Sequence, residues 1–186
     1  MPKRHQPGVF CLEGEWESRL TDRSTVRPIL DLLDGRQIIR VIHKDVATPD
    51  ELGHYLNKWL QKQYASFDIG YLAFHGSPGV LFLGRKKLEL EHLADLIAGR
   101  GNGRVLYFGS CSTLDIPKKR IDEFLQSTKL KAVCGYRADV EWLESAAFEL
   151  LLIEALSHYR RIDFADRWLR SNYGQLCRSL KYKMHW

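Results

Sequence analysis

What the sequence lacks narrows its chemistry. It has four cysteines, Cys11, Cys111, Cys134 and Cys177, and none belongs to a C-x-x-C pair. No Cys/His spacing matches a zinc site, so neither a metal nor another cofactor is expected. No apolar run is long enough for a bilayer: the longest, Phe148 to Leu156, is broken by Glu149 and Glu154, and a span needs about 20 apolar residues. Met1 opens a polar stretch, Pro2 to Gln6, with no apolar signal region behind it. These absences describe a reduced, soluble, cytoplasmic protein with no membrane partner. There is no G-x-x-x-x-G-K-[ST] or G-x-G-x-x-G phosphate loop. A tyrosine-phosphatase loop is also missing, because the sixth residue after Cys111 is Pro117 where arginine would be needed. There is no internal repeat, no low-complexity stretch and no linker that would split the chain.

What is present suits one folded domain over residues 1–186. Hydrophobic residues make up 45% of the chain, enough for a sizeable core. The net charge of +5 is spread over short clusters such as Lys3-Arg4, Arg85-Lys86-Lys87 and Lys118-Lys119-Arg120. No nucleic-acid motif accompanies it, so nucleic acid is not an expected partner.

Strand-like and helix-like segments alternate. Val9 to Leu12 reads as a first strand. Glu17 to Leu33 carries Leu20, Val26, Ile29, Leu30 and Leu33, mostly at helical spacing, and stops at Gly35. Gln37 to His43 is β-branched and short, a second strand. Thr48-Pro49-Asp50-Glu51 is a capping box with proline at the first helical position, opening a helix to about Tyr64. Asp68 to Phe74 is a third strand, apolar almost throughout, as when both faces are covered. Val80 to Leu83 and Lys86 to Leu90 form a hairpin, followed by a helix over His92 to Ala98. Val105 to Phe108 is a fourth strand, Pro117 to Ser127 a helix, and Ala132 to Tyr136 a fifth strand. Two helices follow, to about His158 and from Ile162 to Leu180. Such alternation predicts an α/β protein with a mostly parallel sheet and helices on both faces.

In such sheets functional groups sit beyond the carboxyl ends of the strands. The third strand runs into His75-Gly76-Ser77-Pro78-Gly79, and the fourth into Gly109-Ser110-Cys111-Ser112-Thr113. A histidine and a cysteine thus follow two apolar strands at the same relative position. Thiol catalysis needs that combination: a thiolate, a group to exchange its proton, and N–H donors for an oxyanion. Taken alone, Cys111 could be a buried structural thiol and His75 a strand-end residue bonded to backbone; the polar loop around Cys111 favours the catalytic reading. Cys11 and Cys134 lie inside apolar runs, as buried thiols do. His43 follows the second strand, but its loop offers no second ligand, and no other histidine has a partner at metal spacing.

The pair His75-Gly76 and Ser110-Cys111 resembles the signature of the caspase-like cysteine peptidases, the clan that holds caspases, separase, legumain, gingipains and the bacterial CHAT peptidases. Cys111 follows His75 by 36 positions. The Gln-Ala-Cys-x-Gly form of caspases is absent, and Gly109-Ser110-Cys111-Ser112 is closer to the CHAT and separase form. The likeness covers about residues 66 to 158, including Tyr136-Arg137-Ala138-Asp139 after the fifth strand. It implies a three-layer sandwich with strand order 2-1-3-4-5; no sixth strand is evident after Tyr136. It implies that Cys111 attacks a peptide carbonyl, that His75 protonates the leaving amine, and that the N–H groups of Gly76 and Cys111 hold the oxyanion. Asp139 would select a basic residue in a protein substrate, with Tyr136 and Arg137 also in the substrate-binding region. Glu141 competes for that role, and Arg137 would favour acidic substrates. CHAT peptidases often act as gated effectors in bacterial defence or signalling. With no room for a sensor domain, an activating protein partner is the expected regulator. The alternatives are a non-catalytic binding module of the same fold and, with weaker support, a phosphate- or nucleotide-binding α/β protein.

Overall fold

The computed structural model describes residues 6–186; the polar stretch ahead of them, with Lys3, Arg4 and His5, lies outside the described residues. Six strands build the main sheet: β1 (Gly8–Glu13), β2 (Arg40–Asp45), β3 (Ile69–Ala73), β7 (Val105–Gly109), β8 (Ala132–Tyr136) and β9 (Tyr182–His185). Their order is β2-β1-β3-β7-β8-β9, parallel except for β9. The central strands are apolar at every position because both faces are covered. Along β3, Ile69, Tyr71 and Ala73 enter one core while Leu72 enters the other. The same period of two divides Val105 and Tyr107 from Leu106 and Phe108 on β7.

Three helices cover each face. On one lie α1 (Arg27–Gly35), α5 (Trp142–His158) and α6 (Ile162–Ser179); on the other lie α2 (Pro49–Trp59), α3 (Leu90–Ile97) and α4 (Lys118–Thr128). The capping box read at Thr48 is formed: Thr48 Oγ1 accepts from Glu51 N at 3.2 Å, and Glu51 Oε2 accepts from Thr48 N at 3.2 Å. That helix ends at Trp59, with a 3-10 turn at Lys62–Tyr64, short of one continuous helix to Tyr64. A second, three-stranded antiparallel sheet, β4 (His75–Ser77), β5 (Val80–Leu83) and β6 (Lys86–Glu89), stands beyond the end of β3.

Three expectations change. The helix expected from Glu17 begins only at Arg27, after a long irregular loop; Leu20, taken as part of its apolar stripe, is fully exposed. A sixth strand exists. β9 pairs antiparallel with β8, and its Tyr182 and Met184 close one core. His75 is the first residue of β4 and not part of a free loop, because the chain leaving β3 turns directly into the small sheet. Among the described residues no helix is long and apolar enough to cross a membrane.

Candidate functional site

Register places the two candidate residues side by side. Ala73 on β3 pairs with Gly109 on β7. His75 and Cys111 each follow that pair by two residues, so they leave adjacent parallel strands at the same level. The hairpin that begins at His75 then leans on the turn that carries Cys111. Gly79 N donates to Thr113 O at 3.0 Å. Gly76 touches the turn so closely that a Cβ there would lie 2.7 Å from Cys111 O and 2.3 Å from Thr113 Oγ1. Glycine is required here by contact, since a side chain would push the histidine strand off the cysteine turn.

The cysteine turn is braced from within and from β8. Ser110 Oγ and Thr113 Oγ1 lie 2.7 Å apart, and Thr113 Oγ1 donates to Cys111 O at 3.3 Å. Ser112 takes a left-handed conformation, φ +52°, which turns the chain sharply just after the thiol. Ser112 N donates to Ala138 O at 3.0 Å and Leu114 N to Tyr136 O at 3.1 Å. Asp115 N donates back to Ser112 O at 2.8 Å. With these N–H groups committed to carbonyls, and six residues between Cys111 and the first residue of α4, the loop is not arranged as a phosphate cradle at a helix N-terminus. Cys111 N has no acceptor among the described residues. Cys111 is partly exposed, whereas Cys11, Cys134 and Cys177 are buried. Burial pushes the thiols of Cys11 and Cys134 well above the usual range, which keeps them neutral and inert.

His75 is exposed on its cleft side and held on the other. Its Nε2 lies 2.7 Å from the main-chain carbonyl of Trp16. A carbonyl only accepts, so Nε2 bears the proton and Nδ1 is the free nitrogen. The Trp16 ring also meets the imidazole edge-on, centroids 5.3 Å apart at 78°. A base oriented by a third group is the arrangement that thiol catalysis uses. Trp16 lies just ahead of the segment expected to be helical, and a backbone carbonyl leaves no mark in a sequence.

The other predicted residues are less uniform. Asp139 is exposed and accepts from Ser112 Oγ at 2.7 Å, next to Cys111. It is therefore not the buried carboxylate in need of a cation that the sequence argument assumed. Arg137 pairs with Asp115, Nη2 to Oδ1 3.1 Å, and so does not neutralise Asp139. Tyr136 is fully buried, its hydroxyl 2.7 Å from that of Tyr107; it is core and offers no surface to a substrate. His43, read as having no ligand partner, is brought within 4.8 Å of Glu13 and Asp45.

Beside His75, the loop 14–25 and the ends of β1 and β2 enclose a cavity of about 330 Å³. Glu15, Glu17, Asp22 and Asp45 line it, against a single cation, Arg19. These residues lie on separate segments whose proximity no local pattern reveals. Leu20 on this loop, which follows the carboxyl end of β1, and Trp142 and Leu143 at the start of α5, which follows that of β8, are large exposed apolar residues.

The family profile that matches the sequence spans residues 6–186. The chain belongs to DUF6642, a family of unknown function. No curated protein matches the sequence.

Proposed function

We propose that this protein is a cysteine endopeptidase of the caspase-like, CHAT/separase type, with Cys111 as nucleophile and His75 as its proton-transfer partner. The observation that carries the proposal is the contact between the two turns, with the His75 ring held through Nε2 by the Trp16 carbonyl. Cys111 is the one cysteine of four that solvent reaches.

In the reaction, the Cys111 thiolate attacks the scissile carbonyl and the C–N bond then breaks. Nδ1 of His75, having taken the proton of the Cys111 thiol, delivers it to the departing amine. Water attacks the thioester and gives a proton to Nδ1 of His75; the C–S bond breaks, that proton returns to the sulfur, and the acid product leaves with the thiol restored. The unpaired N–H of Cys111, with that of Gly76 across the contact, would hold the oxyanion.

The substrate is a polypeptide with a basic residue at or near the cleaved bond. Asp139, hydrogen-bonded to Ser112 next to Cys111, and the acid-lined cavity beside His75 both offer negative charge at the cleft. Exposed Trp142, Leu143 and Leu20 supply apolar contact for the flanking chain. Regulation by a partner protein, in a bacterial defence or signalling setting, is part of this proposal and rests on the resemblance.

The test is turnover of a peptide library varied at the cleaved position, with wild type, Cys111→Ala, His75→Ala and Asp139→Asn. Cleavage after Lys or Arg, abolished in the first two variants and reduced in the third, supports the proposal. Absence of turnover with every peptide, or turnover that survives Cys111→Ala, overturns it. Basic preference unchanged in Asp139→Asn would move specificity to the cavity acids.

A further inference from the structure

The loop that supplies the Trp16 carbonyl has no regular structure, and Glu17 to Leu20 are exposed. Something must hold its two ends. Glu13, the last residue of β1, is buried with 3% exposure. Its carboxylate accepts four hydrogen bonds, the full capacity of the group. Trp16 Nε1 at 2.6 Å and Val26 N at 2.8 Å reach Oε1. Thr25 Oγ1 at 2.7 Å and His43 Nε2 at 2.6 Å reach Oε2. Burial alone would raise its pKa, but the bonds from His43, Trp16, Thr25 and Val26 outweigh that and hold it below the usual range. Glu13 is therefore a buried anion tied to both ends of the loop and to β2.

Glu13, His43 and Asp45 could be taken for three ligands of a metal ion. Both Glu13 oxygens are already saturated by donors, and a cation would have to displace them. The same four bonds are explained without an ion, as a clamp.

We propose that Glu13 is a positioning residue for His75, acting through Trp16. The carboxylate fixes the indole, the fixed residue presents its carbonyl to Nε2, and that contact keeps the proton on Nε2 and leaves Nδ1 for the reaction. The proposal rests on His75 being the proton-transfer group of the site, though its main readout needs no catalysis.

The test compares three variants of the full chain. Trp16→Phe keeps an aromatic ring beside His75 and removes the indole N–H. Glu13→Gln keeps the shape and removes the charge. Thr25→Val removes a different bond to Glu13 and leaves Trp16 alone. The primary readout is the ¹⁵N spectrum of the His75 ring across pH. Wild type should show the Nε2–H tautomer. Trp16→Phe and Glu13→Gln should shift it to an average of both tautomers, and Thr25→Val should leave it unchanged. If Glu13→Gln does not fold, Trp16→Phe against Thr25→Val decides the matter alone. Where turnover is measured, kcat should fall by up to ~100-fold with KM unchanged, the lower range of what positioned acid–base groups contribute. Unaltered His75 shifts in Trp16→Phe, or an equal change in Thr25→Val, would overturn the proposal. Altered shifts in a protein whose Cys111 ignores every peptide electrophile would support the clamp while refuting the peptidase.

Discussion

Glu149→Gln should flatten the pH dependence of stability between pH 5 and pH 8. Glu149 projects from α5 into the core, 4% exposed. Tyr71 Oη donates to its Oε2 at 2.7 Å, and Tyr107 Oη lies 2.9 Å from its Oε1. Burial pushes its pKa from the ordinary 4.5 up to about 7, against the hydrogen bonds of the two tyrosines, which lower it. The sign follows from linkage. Between those two values the unfolded chain has lost the proton that the folded protein keeps, so stability falls as pH rises and levels off above pH 7. A difference of about 2.5 pH units at 1.36 kcal/mol each is a loss of about 3 kcal/mol, most of it between pH 5 and pH 8. Glutamine keeps one acceptor and gains a donor for the tyrosine hydroxyls but cannot ionise. Urea unfolding of both proteins at pH 5, 6, 7 and 8 measures the effect. Wild type should lose about 2 to 3 kcal/mol more than the variant across that range. Equal losses in the two proteins would mean that Glu149 is not held protonated by the core, and would refute the reasoning.

Other outcomes follow from the same packing. Cys134→Ala should cost about 1 kcal/mol, as when one small buried group is removed from a core, while Cys111→Ala should stay within about 0.5 kcal/mol of wild type, since its side chain lies on a partly exposed turn; denaturant midpoints compare them. Gly76→Ala would put its Cβ 2.3 Å from Thr113 Oγ1 and 2.9 Å from Ser110 Cβ. It should cost about 1–3 kcal/mol and abolish reaction at Cys111, read by calorimetry and by thiol labelling. Thr48→Ala should cost about 1 kcal/mol through loss of the cap on α2, with labelling unaffected.

The alternation of strands and helices was legible because the physics is local: period two on the sheet, period 3.6 on the helices, and a capping box whose partners lie three residues apart. The order β2-β1-β3-β7-β8 agrees with the expected 2-1-3-4-5 among the five strands that were read. β9 escaped notice because Tyr182–His185 is four residues long, alternates with Lys183, and takes its meaning only from β8 beside it. The start of α1 differs from the expected one because Val26, Ile29, Leu30 and Leu33 keep helical spacing behind Leu20, while the loop that holds Leu20 is shaped by Glu13, a long-range tie. His75 and Cys111 stood out as side chains at strand ends. Trp16 did not, since its contribution is a carbonyl. Glu149 was visible only as an interruption of an apolar run; that it meets the tyrosines of β3 and β7, the second of them bonded in turn to Tyr136 of β8, depends on how α5 lies on the sheet.

The central claim is that Cys111 and His75 act together on a peptide carbonyl. The most direct measurement is reaction of the full chain with a lysine-containing peptidyl acyloxymethyl ketone, followed by mass mapping of the adduct. The account predicts modification at Cys111 and at none of Cys11, Cys134 or Cys177. It also predicts a rate that drops sharply in His75→Ala while a small alkylating agent still reaches the thiol. An unmodified Cys111, or the same rate with and without the His75 imidazole, would contradict it.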